Sequence, residues 1–196
     1  MPSSKKKHRK SGIKKGSAFN PLNSFNQFLN DRHPIFKFLL GFIGCMVLFY
    51  LLYYSSFYKN VLELPFLEAQ ANISNALLRL LGHDTTVENA MIFSSEFAVN
   101  IKNGCDGLEA IAILVSGVLI FPASVKLKLS GITWGVITLF LLNLLRIAGL
   151  YLIGLNFSPT VFEIMHVQGG FILFTMISVI LLFIWINWAV KKSQQY

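Results

Sequence analysis

The chain has 196 residues, 54% of them hydrophobic and only 13% charged, with a formal net charge of +8. A water-soluble domain carries about 25% charged residues, so this composition excludes an ordinary soluble globular protein and points to lipid. Nine of the 17 Lys and Arg lie in residues 1–37, where Asp31 is the one acid. That arm leads into an apolar run and has no aromatic or glycine pattern for base contact, which argues against nucleic acid as a partner and for a membrane-orienting segment.

In chain order, residues 1–34 read as a basic cytoplasmic arm, 35–190 as a membrane-embedded domain and 191–196 as a cytoplasmic tail. The first span is Ile35 to Tyr54, interrupted only by Lys37, whose long side chain can snorkel to water. It ends in an aromatic belt of Tyr50, Tyr53, Tyr54, Phe57 and Tyr58 with no small-residue cleavage site, the pattern of an uncleaved anchor.

Residues 55–105 are the one sizeable polar segment. Leu62 to Gly82 has the spacing of one or two amphipathic helices suited to a membrane surface. From Thr85 the period changes to two. Val87, Met91 and Phe93, then Phe97, Val99 and Ile101, predict a short β-hairpin around Ser94-Ser95-Glu96. The hairpin delivers the chain to Asn103-Gly104-Cys105-Asp106-Gly107-Leu108-Glu109. Asp106 and Glu109 have capping-box spacing, so a helix is expected from about Gly107, with Cys105 just ahead of its first turn. A thiol there feels the positive end of the helix dipole, but Asp106 and Glu109 oppose that effect, so a reactive thiolate needs a nearby cation. The plainer alternative is a small buried Cys filling a gap at a helix end.

Three more spans are predicted. Leu108 to Ala123 is short, roughly 25 Å at the helical rise; the others are Ile132 to Ile153 and about 167 to Val190. Ser158-Pro159 has the form of a helix start, so the last helix is expected to begin before its apolar stretch. The predicted fold is an all-α polytopic membrane protein of four transmembrane helices, with a small extracytoplasmic helix plus hairpin. Lys126, Lys128, Lys191 and Lys192 join the arm on one side, whereas the other side holds Lys59, Arg79 and Lys102. The positive-inside rule then predicts cytoplasmic termini and an outward-facing Cys105.

Arg146 lies inside the third span, about 10 Å below its outer end. An Arg at such a place costs roughly 2.5–3.5 kcal/mol on insertion scales, so it demands a reason. Asn143, three residues earlier on the same helix face, can hydrogen-bond it. His166 opens the last span, and Glu163, three positions before it, is placed to fix a ring tautomer. Taken singly, Arg146 can snorkel or pair with Glu109, and His166 can be a polar anchor. Together, a Cys, an Arg and a His brought to one leaflet by three elements are the parts of thiol-based acyl transfer: nucleophile, stabiliser of thiolate and oxyanion, and proton carrier. No His, Cys and carboxylate cluster has metal-ligand spacing, so neither metal nor cofactor is expected. Cys45 sits mid-span, which makes a disulfide to Cys105 improbable.

Asn103-Gly-Cys-Asp-Gly-Leu-Glu-Ala110, Leu142-Asn-Leu-Leu-Arg-Ile147 and the isolated His166 resemble, in order and spacing, the exosortase/archaeosortase family of membrane cysteine transpeptidases, over roughly residues 35–190. The Gly-Cys-Asp-Gly-Leu-Glu-Ala form and compact size are most like exosortase H; larger members have further spans missing here. The resemblance implies a catalytic triad of Cys105, Arg146 and His166 in the cytoplasmic (inner) membrane, acting at its outer face. It also implies substrates that are exported proteins ending in a short motif (Ile-Pro-Thr-Leu type), an apolar span and a basic cluster. Such a tail would align beside the enzyme's helices, and Gly41, Gly44, Gly169 and Gly170 serve either that approach or internal packing. Two other classes fit the same residues: an acyltransferase using Cys105 on a lipid, and a non-enzymatic membrane assembly protein.

Overall fold

The computed structural model describes residues 21–194, apart from the side chains of 21–33 and 167–169. Most of the basic arm, the last two residues and the surroundings of Gly169 therefore lie outside the described ones. By packing the chain divides after residue 37. Within the described part of the first unit, Met1–Lys37, the backbone is the opening of helix α1, Pro21–Tyr53. The second unit, Phe38–Tyr196, contains the site described below.

After α1, a π-helical turn (Tyr58–Leu62) leads into α2, Glu63–Leu80. Leu67, Gln70, Ala71, Ser74 and Leu78 are buried on one face of α2, the spacing of an amphipathic helix. The predicted surface helix is thus a single helix whose inner face is committed to protein. Its buried stripe joins Ile92 and Val99 of the sheet and Ile147 and Tyr151 of α4 in one apolar cluster.

The predicted hairpin is a three-stranded antiparallel sheet: β1 Thr86–Glu88, β2 Met91–Phe93 and β3 Ala98–Asn100. The first predicted strand is split because Asn89 and Ala90 both take positive φ (49° and 60°). Two central residues of that hand make the tight turn whose twist matches paired strands. β2 and β3 pair as expected, with Ile92 opposite Val99.

Helix α3 runs Leu108–Ile120 and α4 Val125–Asn156. α3 stops short of the predicted Ala123 because Phe121 precedes Pro122, and a residue before proline is driven to extended backbone (φ −62°, ψ 135°). α4 begins seven residues before the predicted Ile132, and its Lys128 Nζ donates to Leu119 O at 2.6 Å, closing an end carbonyl of α3. The last helix opens at Pro159 behind Ser158, as expected, and continues as α5 (Pro159–Glu163), a π-helical stretch (Ile164–Gly169) and α6 (Gly170–Ser193).

Among the described residues, three helices are long and apolar enough to cross a bilayer: Pro34–Tyr53, Val125–Asn156 and Pro159–Ser193. The predicted fourth span, α3, has 13 residues, about 20 Å against a hydrocarbon core of about 30 Å. Between lipid-facing helices apolar burial supplies no drive, because the tails are as apolar as Leu; close packing must do it. Gly117 receives Leu182, Gly131 receives the Trp185 indole and Gly135 receives Leu114, each where a methyl group would overlap. Ser178 Oγ donates to Ala110 O at 2.7 Å, binding α6 to α3. Among the described residues there are therefore two cores, one of α2, sheet and α4 and one of α3, α4 and α6. Cys105 belongs to the first and lies in the turn that leads into α3 of the second.

Candidate active site

The turn between β3 and α3 is set by glycine. Cys105 N–H donates to Lys102 O at 2.9 Å, and Gly104 and Gly107 flank it at φ 85° and 75°. A side chain in that region costs roughly 1–2 kcal/mol, and at Gly107 a Cβ would also stand 3.0 Å from Asn143 Cγ. Asp106 Oδ1 accepts the Leu108 N–H at 3.1 Å, so the first turn of α3 is capped. The expected reciprocal box does not form. Gly107 is the N-cap and α3 begins at Leu108, which puts Glu109 one position early to reach back. Glu109 instead accepts a hydrogen bond from Tyr50 at 3.4 Å.

Arg146 comes from the middle of α4. Its Nη2 lies 3.8 Å from Cys105 Sγ and donates to His166 O at 3.2 Å, while Nη1 donates to Asn143 Oδ1 at 3.4 Å. Asn143 thus holds the guanidinium as its spacing predicts. The plane lies over the Phe174 ring, 5.3 Å from its centroid. Gly170 makes room for it, since a methyl group there would overlap the guanidinium. The anticipated alternative, a pair with Glu109, is absent, that carboxylate being bound to Tyr50. Nε is buried with no hydrogen-bond partner among the described residues.

His166 sits in the π-helical stretch. Its Nε2 is 3.6 Å and its Nδ1 3.9 Å from Cys105 Sγ. The ring stacks on Phe162 (centroids 5.4 Å, planes 9° apart), which meets Phe97 edge-on. Glu163, expected to orient this ring, is exposed and makes no hydrogen bond to it. A π-turn closes i to i+5 rather than i to i+4, so a residue three positions away no longer stacks above its partner, and Phe162, four away, does.

Two further residues complete the site and escaped the sequence reading. Tyr53 OH donates to Asp106 Oδ2 at 2.8 Å and accepts the Gly104 N–H at 3.2 Å. Gln70 Nε2 donates to Asp106 O at 2.9 Å. Tyr53 was hidden in an aromatic run that reads as a belt. Gln70 did carry a signal, being an amide inside the apolar stripe Leu67, Ala71, Leu78 of α2.

Electrostatics modify the expected thiolate. Burial pushes the Cys105 thiol up, the Arg146 guanidinium pulls it back, and Asp106 adds to the rise; the balance stays above the ordinary thiol range. Burial likewise pushes the Asp106 carboxyl up against hydrogen bonds from Tyr53 and the Leu108 N–H. Arg146 and the helix end therefore lessen the cost of the thiolate without making it the resting form. The thiolate fraction falls as pH falls, so alkylation of Cys105 in membrane vesicles, followed by mass analysis of its peptide, should have a midpoint above that of a free thiol. Arg146→Gln, which removes the lowering charge, should move it higher still; a downward shift would mean the guanidinium does not face the sulfur.

No curated protein and no solved structure matches the chain. Residues 34–183 match the family model for transmembrane exosortase, a stretch that takes in α3, α4 and the site residues just described. The chain is therefore an integral membrane protein and belongs to the transmembrane exosortase family.

Proposed function

We propose that the chain is a membrane cysteine transpeptidase that cuts the C-terminal sorting tails of exported proteins through a thioester on Cys105. What carries this reading is the convergence on one sulfur of an imidazole nitrogen at 3.6 Å and a guanidinium nitrogen at 3.8 Å, from elements far apart in the chain. Because burial favours the protonated thiol, His166 takes the Sγ proton as the sulfur attacks the scissile carbonyl carbon. The carbonyl oxygen gains the negative charge. Arg146, whose Nη2 stands 3.8 Å from the sulfur, is the donor for that oxyanion. The C–N bond then breaks, and His166 gives its proton to the leaving amine. An incoming amine, hydroxyl or water next passes a proton to His166, attacks the thioester carbon and expels the Cys105 sulfur.

The charge distribution of the chain supports cytoplasmic termini and a Cys105 on the outer side of the cytoplasmic membrane. On this reading α3 acts as a fourth, shallow span whose polar start lies at the surface. An apolar cavity of about 500 Å³ adjoins the site, with Arg146 and Gly170 in its wall and Gly149, Ile153, Met165 and Leu173 around it. Gly41 and Gly170 are filled by Ile120 and Arg146, so they serve internal packing, whereas a Cβ on Gly149 or Gly44 would meet nothing within 4 Å. Gly149 thus leaves room in that cavity for the apolar span of a tail.

The same cavity also suits a fatty acyl chain, which keeps the lipid acyltransferase as the second reading. The mass of the adduct decides between them. Vesicles carrying the parent protein and a reporter ending in motif, apolar span and basic cluster, quenched in acid during turnover, should show a peptidyl adduct on Cys105. A fatty acyl mass at that position would overturn the peptide assignment.

A further inference from the structure

The most tightly enclosed polar group of the site does not touch the sulfur. Gln70 and Asn143 are both fully buried. They come from α2 and α4 and meet side chain to side chain, Asn143 Nδ2 donating to Gln70 Oε1 at 3.2 Å. Asn143 Nδ2 also donates to Cys105 O at 3.0 Å, and Gln70 Nε2 donates to Asp106 O at 2.9 Å. The two successive carbonyls after the sulfur are thus each held by a side-chain amide.

Donor and acceptor inventory makes this arrangement directional. A guanidinium can only donate, so Arg146 requires the oxygen of Asn143 on its side. That leaves the Asn143 NH₂ facing Cys105 O and Gln70, which in turn requires the oxygen of Gln70 toward Asn143 and its NH₂ toward Asp106 O. Turning either amide would set oxygen against oxygen or donor against donor in a buried place, a cost of about 1–3 kcal/mol for each group left unsatisfied. The chain of bonds has one orientation, and it links the guanidinium to the backbone that carries the sulfur. Nothing else in α2 touches that turn by a hydrogen bond among the described residues.

We infer that Gln70 is a positioning residue for the Cys105 nucleophile: by clamping the Asp106 carbonyl and orienting Asn143, it holds the sulfur in register with Arg146 and His166. This rests on the reading of Cys105 as the nucleophile. Gln70 touches neither the reacting sulfur nor the imidazole, and its effect passes through the turn. Two separate elements must then be docked before the sulfur is in place, α2 as well as α4, which couples the integrity of the segment outside the spans to chemistry at their edge.

The test uses the full chain in membrane vesicles and two variants. Gln70→Met keeps the length and apolar bulk but removes both hydrogen bonds; Gln70→Asn keeps an amide but withdraws it by one methylene. Two quantities are read, the pH dependence of Cys105 alkylation by iodoacetamide, separated from Cys45 by peptide mass, and the kcat and KM for the tailed reporter. The charged or titratable groups facing the sulfur are Arg146 from α4, His166 from the π-stretch and Asp106 in its own turn, while Lys102 meets Cys105 through its backbone carbonyl and its charge acts on the His166 ring. Of these the guanidinium is the one that favours the thiolate at contact distance. Loss of register should therefore slow alkylation near neutral pH by about tenfold, the size of one pKa unit, and move its midpoint upward. It should lower kcat while leaving KM within about twofold, because the tail's span binds elsewhere. Normal membrane abundance with an unchanged alkylation profile in both variants would overturn the inference. So would failure of both variants to accumulate, which would make Gln70 a purely structural residue. The alkylation arm needs no substrate: an altered profile with a reporter that even the parent protein leaves uncut would count against the sorting-tail reading and not against Gln70.

Discussion

Cys105→Ala is expected to leave a tailed reporter entirely uncut in the membrane, with processing reduced by about 10⁶-fold, as when the nucleophile of an acyl-transfer enzyme is removed. The fold should survive. The backbone bonds that build the turn, from Cys105 N–H to Lys102 O and from Asn143 to Cys105 O, do not use the side chain. Deleting one sulfur from the core of α2, sheet and α4 costs about 1 kcal/mol, within the ordinary range for single substitutions. Immunoblots of reporter and enzyme from the same membranes would therefore separate chemistry from folding. Processing at the parental rate would remove Cys105 from the reaction, and with it the mechanism.

Arg146→Lys should cost less but still severely, about 10²- to 10³-fold in single-turnover cleavage, the usual loss when an oxyanion donor is removed. Lysine keeps the charge but presents a point ammonium in place of a planar fork. The fork is used here: Nη1 reaches Asn143, Nη2 lies between His166 O and the sulfur, and the plane rests on Phe174. An ammonium cannot hold those directions at once. Gly170→Ala tests the same geometry without touching the charge, because its methyl group would displace the guanidinium. A shift of an ångström there can cost about 10²-fold. Full activity in Arg146→Lys would show that the site needs only a cation, and the guanidinium would then be a structural ion.

The convergence of Cys105, Arg146 and His166 was legible before any coordinates because each is expensive where it stands. A guanidinium inside an apolar helix, an imidazole at the mouth of another and a Cys in a glycine-bracketed turn are all departures from what their segments prefer. Asn143 was legible for a related reason, since three residues on a regular helix is a fixed direction. Glu163 failed by the same rule, because the π-helical stretch changes the angle per residue and brings Phe162 to the ring instead. The capping box failed by one position, since Gly107 and not Asp106 is the N-cap of α3.

Composition and periodicity determined by themselves that this chain lives in lipid, where its long apolar helices run, and which residues are chemically out of place. They report the solvent each segment tolerates, and that is a local property. Which tyrosine of the aromatic run turns inward to Asp106, which amide on α2 holds the Cys105 turn, and which glycine is filled from within the protein depend on what faces them. Such facing is decided when helices from distant parts of the chain pack and every buried donor must find an acceptor, so it belongs to the tertiary structure alone.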